Sequence, residues 1–216
     1  MNFKNVKYEL QNILSGKSGS SKDATIQTIA NYLRDGQKTS PVAQGELKYK
    51  KQEAKKLIEF SKRYDFFIED IDESQYLSSG AEQKVYIENT KNVFKLNDAI
   101  YYTSWLDYFY NLLLNNYFFS DTAYDLIGFH IIDETLHAVV NQNYIRADEI
   151  TNLSYVNKFM QSNGFENTRN NDYYNPKLGI ILDDLHDENV LTSNGLLYFI
   201  DTVFYINPDI FWKNDD

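Results

Sequence analysis

The chain has 216 residues, 43% hydrophobic and 16% aromatic, with a net charge of −10; it is long enough for one good core and too apolar for disorder. It has no cysteine and three histidines, which excludes disulfides, thiolate metal sites and a cysteine nucleophile and weighs against a histidine-rich zinc site. No apolar run reaches the ~20 residues of a membrane helix, and Met1–Lys7 lacks the apolar centre of a signal peptide, so a cytoplasmic protein is expected.

Charge divides the chain. Residues 1–60 carry 11 Lys and Arg against 6 Asp and Glu, and the remainder 10 against 25. The acidic bulk weighs against a nucleic-acid partner, and the basic beginning is expected to lie against the acidic body of its own chain. Up to about residue 70 the spacing predicts helices. Val6, Leu10, Ile13 and Leu14 form one stripe with a stop at Gly16. Ile26, Ile29, Ala30 and Leu33 form a second, capped by Ser21 or Asp23 and ending at Asp35-Gly36. A Gln-Lys-Thr-Ser-Pro loop follows, then a third helix over about Glu46–Tyr64.

The period then changes. Lys84–Glu88 and Val93–Leu96 alternate across Asn89–Asn92, and Gln75–Ser78 is a candidate first strand. A helix capped by Asn97 or Asp98 is expected over about Ala99–Asn115, then strands over Tyr124–Ile132 and His137–Ile145. These make a five-stranded sheet. A helix over about Leu153–Gly164, a polar loop at Asn167–Asn175 and an apolar strand over Pro176–Leu182 lead into Asp183-Asp184.

The most informative stretch comes next: Asp184-Leu185-His186-Asp187-Glu188-Asn189, then Asp201 twelve residues after Asn189. Between them, Asn194-Gly195 separates two apolar runs, which favours a two-residue hairpin turn. An Asp and an Asn five apart, folded back onto a second Asp, can place one base and two magnesium ligands around a nucleotide's phosphates. Asp183, Asp187 and Glu188 fail calcium-loop spacing.

On these residues, over roughly 75–205, the chain resembles the protein-kinase-like superfamily, in particular its compact branch with the aminoglycoside and choline phosphotransferases. It is most similar to the small kinase-like domains of polyvalent proteins in phages and bacterial mobile elements. The resemblance implies an α+β fold: a five-stranded antiparallel N-lobe over 71–145, a minimal, truncated C-lobe over 146–216, and a helical N-terminal extension over 1–70. It implies ATP and magnesium as cofactors and an unidentified hydroxyl-bearing acceptor, small molecule or protein. By the same resemblance Asp184 is the catalytic Asp, Asn189 and Asp201 hold metal, Lys95 holds the α and β phosphates, and Gly80 belongs to the phosphate-covering loop. His186 is expected to brace its loop. Asn141 and Gln142 are candidates for adenine contacts through backbone groups of the segment joining the lobes.

The departures are specific. The loop Ser78–Gln83 keeps one glycine of three, and Glu82, on that loop, is expected to pair with Lys95 and not to cradle anions. The helix after Lys95 has no Glu, which leaves Asp107 as the acid to meet that lysine, ahead of Asp98. Thr202 replaces an aromatic residue, and the 15 residues after Asp201 lead us to expect no activation segment. These departures keep open two alternatives: a pseudokinase-type nucleotide-binding or scaffold module, and a mobile-element accessory protein whose basic helices bind a partner.

Overall fold

The computed structural model describes residues 2–37, 46–80 and 83–213; most of the loop expected around 37–41 lies outside them. Among the described residues the chain is α+β, with six α-helices and eleven strands, and none of the helices is long and apolar enough to cross a membrane. It opens with α1 (Phe3–Leu14), α2 (Asp23–Gln37) and α3 (Glu46–Tyr64), as the apolar stripes predicted. The Asn2 side chain caps α1 by accepting from the Asn5 amide, and Gly16, at φ 72°, ends it in a conformation glycine adopts at little cost.

These helices exist to cover another one. α4 (Trp105–Phe118) is apolar nearly all round, the composition of a helix buried on every side. Leu10, Ile29, Leu33 and Leu57 share a single apolar cluster with Trp105, Phe109, Phe129 and Phe204. Polar groups pin the contact. The Glu53 carboxylate accepts from the Trp105 amide at 2.7 Å, at the helix end where negative charge is favoured. Asn116 donates to Asp23 at 2.9 Å, and Lys50 donates to the carbonyls of Ala99 and Tyr102. This α3 lysine therefore meets its own chain, at backbone carbonyls.

The predicted start of α4 is corrected. Asn97 and Asp98 accept from the amides of Ala99 and Ile100, closing tight turns, and Ala99 sits at φ 57°. The helix begins six residues later under Ser104, whose hydroxyl accepts from the Asp107 amide at 3.0 Å and donates to the Asp107 carboxylate at 2.7 Å. Asn and Asp offered side-chain oxygens to either structure, and the turn took them.

The five-stranded antiparallel sheet forms as expected: β1 (Tyr76–Ser79), β2 (Gln83–Ile87), β3 (Asn92–Asn97), β4 (Asp125–Ile132) and β5 (Thr135–Asn143), in the order β1-β2-β3-β5-β4. The segment after α3 covers the β4 edge, with Ile68 N–H donating to the Phe129 carbonyl and Phe129 N–H to that of Phe66. After α5 (Leu153–Ser162), a second antiparallel sheet has the order β11-β8-β7-β6, built from β6 (Glu166–Arg169), β7 (Asp172–Asn175), β8 (Ile180–Asp183) and β11 (Val203–Ile206). The Asn-rich stretch is thus a hairpin and not a loop. β8 starts four residues later than predicted, because Asn175 accepts from the amides of Lys177 and Leu178 and turns the chain there. Between β8 and β11 lies the hairpin β9 (Val190–Ser193) and β10 (Leu196–Phe199); α6 (Pro208–Phe211) follows β11.

Candidate functional site

Two strand pairings assemble the site. Asn194 and Gly195 both have positive φ, 52° and 72°, the turn that Asn-Gly favours, and Ser193 faces Leu196 across it. At the open end of this hairpin the Asn189 carbonyl accepts from Ile200 N–H at 2.9 Å and from Asp201 N–H at 3.4 Å. Asn189 and Asp201 are therefore tied through their own backbone. In the second sheet Asp183 faces Val203, so Asp184, leaving β8, stands beside the chain entering β11.

The 184–189 loop is held by its own polar groups. Asp184 has φ 69°, a left-handed conformation that Asp tolerates better than most residues, and its amide donates to Asp172 at 3.1 Å. The Asn189 amide group donates to the Asp184 carbonyl at 2.9 Å and to its carboxylate at 3.1 Å. His186 Nδ1 accepts from Glu188 N–H at 3.2 Å. That leaves the proton of a neutral ring on Nε2, 3.3 Å from Asp184 Oδ1. His186 braces the loop, as its place in the sequence suggested. Asp183 behind it is pushed up to about 6, first by burial and then by the charges of Asp172 and Asp184.

The cleft beside this loop has a volume of about 610 Å³, and Gly80, Lys95, Gln142, Asn189 and Asp201 all line it. Lys95 is buried. Its ammonium donates to the Ile200 carbonyl at 2.7 Å and lies 5.7 Å from the centre of the Tyr124 ring, next door to Asp201 although 105 residues separate Lys95 from Ile200. Asp184 joins this group through Asn189.

Other expected residues fall elsewhere. Asn141 lies inside β5, paired with Phe94 on one side and Asp125 on the other, and its amide donates to Glu88 at 2.6 Å. Gln142 lines the cleft, yet its buried side chain is a tie, donating to the Thr122 carbonyl at 2.7 Å. Because β5 runs to Asn143, the segment that borders the cleft is displaced to Tyr144–Ala147. Asp107 is engaged by Ser104 and pushed up by burial, so the acid expected at Lys95 instead accepts from the Ser104 hydroxyl that caps α4. Glu82 lies outside the described residues.

One contact was illegible beforehand. The Gln83 side-chain amide donates to Asp201 Oδ2, joining β2 to the chain ahead of β11. No motif marks that glutamine.

Among the described residues no cluster of three or more His, Cys, Asp or Glu could hold a metal alone. The donor set fits magnesium all the same. Asp201 offers a carboxylate and Asn189 a carboxamide oxygen, both hard ligands, and magnesium takes few protein ligands when phosphates and water complete its shell.

Comparison with known sequences assigns the chain to a family. Residues 50–208 match the family described as serine/threonine/tyrosine kinase found in polyvalent proteins, and the chain belongs to that family. No curated protein and no solved structure matches the chain.

Proposed function

We propose that the chain transfers the γ-phosphoryl group of ATP, bound with magnesium, to a hydroxyl acceptor, across a cleft between a lobe of residues 71–145 and a lobe of residues 146–216. The observation that carries this reading is the meeting of Lys95, Asn189 and Asp201 in one cleft, with Asp184 hydrogen-bonded to Asn189. Val85, Val93 and Leu191 supply apolar walls for a purine, and the 144–147 segment supplies backbone groups at its edge. Lys95 neutralises phosphate charge, and Gly80 lines the cleft on the side of the β1 edge. Bound there, magnesium–ATP supplies the transferable group and the cation that offsets its charge. Asn189 and Asp201 hold that cation. Asp184 accepts the hydrogen bond of the acceptor hydroxyl and aims its oxygen at phosphorus, and the loop keeps the carboxylate ready through Asn189 and His186.

A second reading is favoured by the Gln83 contact. An amide donor on Asp201 Oδ2 stands where a cation would sit, as expected of a module that binds nucleotide weakly or without turnover. Titration with a nonhydrolysable ATP analogue, with magnesium and with EDTA, tests the first reading: binding should tighten with magnesium, and Asp201→Ala should abolish the difference. Magnesium-dependent binding without ATP consumption, against a panel of hydroxyl acceptors, would leave the second.

A further inference from the structure

Buried polar side chains that phosphoryl transfer itself does not require hold the chain on both sides of Asp201. Thr202 donates its hydroxyl to Asn115 Oδ1 at 2.9 Å, and both residues are 2% exposed or less. The Asn115 amide donates to the Thr122 carbonyl at 3.2 Å, and the Thr122 hydroxyl donates to the Phe199 carbonyl. Asn111 accepts from Phe204 N–H at 2.8 Å. Tyr124 donates its hydroxyl to the Ile200 carbonyl at 2.9 Å.

Asparagine is a poor helix former, and a buried polar group costs stability unless it is partnered. Asn111 and Asn115 nevertheless sit inside α4, four residues apart and hence on one face. That face addresses 202–204, while Asn116, one step round the helix, addresses Asp23. A fully partnered buried network fixes one arrangement and rejects others.

We infer that Asn115, Thr202 and Tyr124 are positioning residues that hold the backbone on both sides of Asp201 and so set its carboxylate for the metal. The inference rests on the reading of Asp201 as a metal ligand. Thr202 stands where the resembling kinases carry an aromatic residue, and its hydroxyl is what couples α4 to the metal aspartate here.

The test is calorimetric titration of the full chain with a nonhydrolysable ATP analogue, once with magnesium and once with EDTA. Thr202→Val removes one buried hydrogen bond, and the expected loss of affinity is about tenfold with magnesium and negligible with EDTA. Thr202→Ser, which restores the donor, should return affinity to within about twofold of the wild type. Tyr124→Phe is a milder break that keeps the ring; about a threefold loss is expected, again only with magnesium. A Thr202→Val loss equal in both conditions, or no loss in either threonine or tyrosine variant, overturns the inference. Wild type that binds no analogue in either condition overturns the reading of the site itself, and this inference with it.

Discussion

The two walls of the cleft are built in opposite ways. On one side, Asn189, Ile200, Asp201 and Thr202 are bound through backbone and buried side chains to a hairpin, to β3 through Lys95 and to α4. On the other, every residue of β1 is exposed, and Gly80 N–H donates to the Gln83 carbonyl at 2.9 Å. Buried hydrogen bonds are concentrated beside Asp201, and the β1 edge is exposed.

The largest expected effect tests this contrast directly. If Asp184 orients the acceptor, Asp184→Asn should lower turnover by ~10²–10⁴-fold while leaving nucleotide binding nearly intact, since the carboxamide oxygen that remains can still accept from the Asn189 amide. Asparagine also tolerates the left-handed backbone of this position, so the loop should keep its shape. On the opposite wall, Gly80→Ala should change turnover by about twofold or less: φ at Gly80 is not in the left-handed range, and an added Cβ meets nothing within 4 Å among the described residues. Steady-state rates of the two variants decide it, and equal losses would break the contrast between the walls.

A smaller effect concerns a side-chain bond from β2 to Asp201. Gln83 donates to the carboxylate oxygen that a cation would use. If the amide competes with metal, Gln83→Ala should tighten magnesium binding by about two- to threefold, the scale of one part-buried hydrogen bond. Magnesium titration at fixed analogue concentration reads this. Weaker binding in the variant would make Gln83 a support of Asp201 and not a rival for it.

How much of this was legible depended on whether a feature was local. The Asn194-Gly195 turn and the five strands were readable because turn chemistry and period-two alternation act within a few residues. Convergence of Lys95 with Asp201 was readable only through motif order. The β6–β7 hairpin was hidden, since Asn167–Asn175 is polar except for Tyr173 and Tyr174, and its pairing depends on β8. Val203-Phe204-Tyr205-Ile206 carried a plain strand signal that the proximity of Asp201 obscured. Gln83, Asp172 and Asn115 carried none. Each acts on a residue far away in the chain, and nothing nearby marks a long-range hydrogen bond. The misplaced start of α4 has a different cause: Asn97 and Asp98 are good helix caps and good turn formers, and only tertiary packing chose.

The smallest predicted effect lies just behind the ordered wall. Asp183 is half-buried between Asp172 and Asp184, and burial with those two charges raises its pKa from 3.8 to about 6. A carboxyl that is easier to protonate folded than unfolded makes the folded chain take up protons between about pH 4 and pH 6. Its contribution to stability is therefore most favourable at the acidic end of that window and falls as the pH rises through it. Asp183→Asn removes the charge and keeps the shape, so its melting temperature should exceed the wild type's by about 2 °C at pH 7.5. The difference should be largely gone at pH 4, where the folded carboxyl is neutral and the unfolded one, at its ordinary 3.8, is close to half protonated. Melting curves of the two proteins at matched pH values measure the difference, including any change the substitution makes to the neighbouring Asp172 and Asp184. A gain that persists unchanged at pH 4 would mean that packing of the amide, and not relief of charge beside Asp184, sets the stability of this wall.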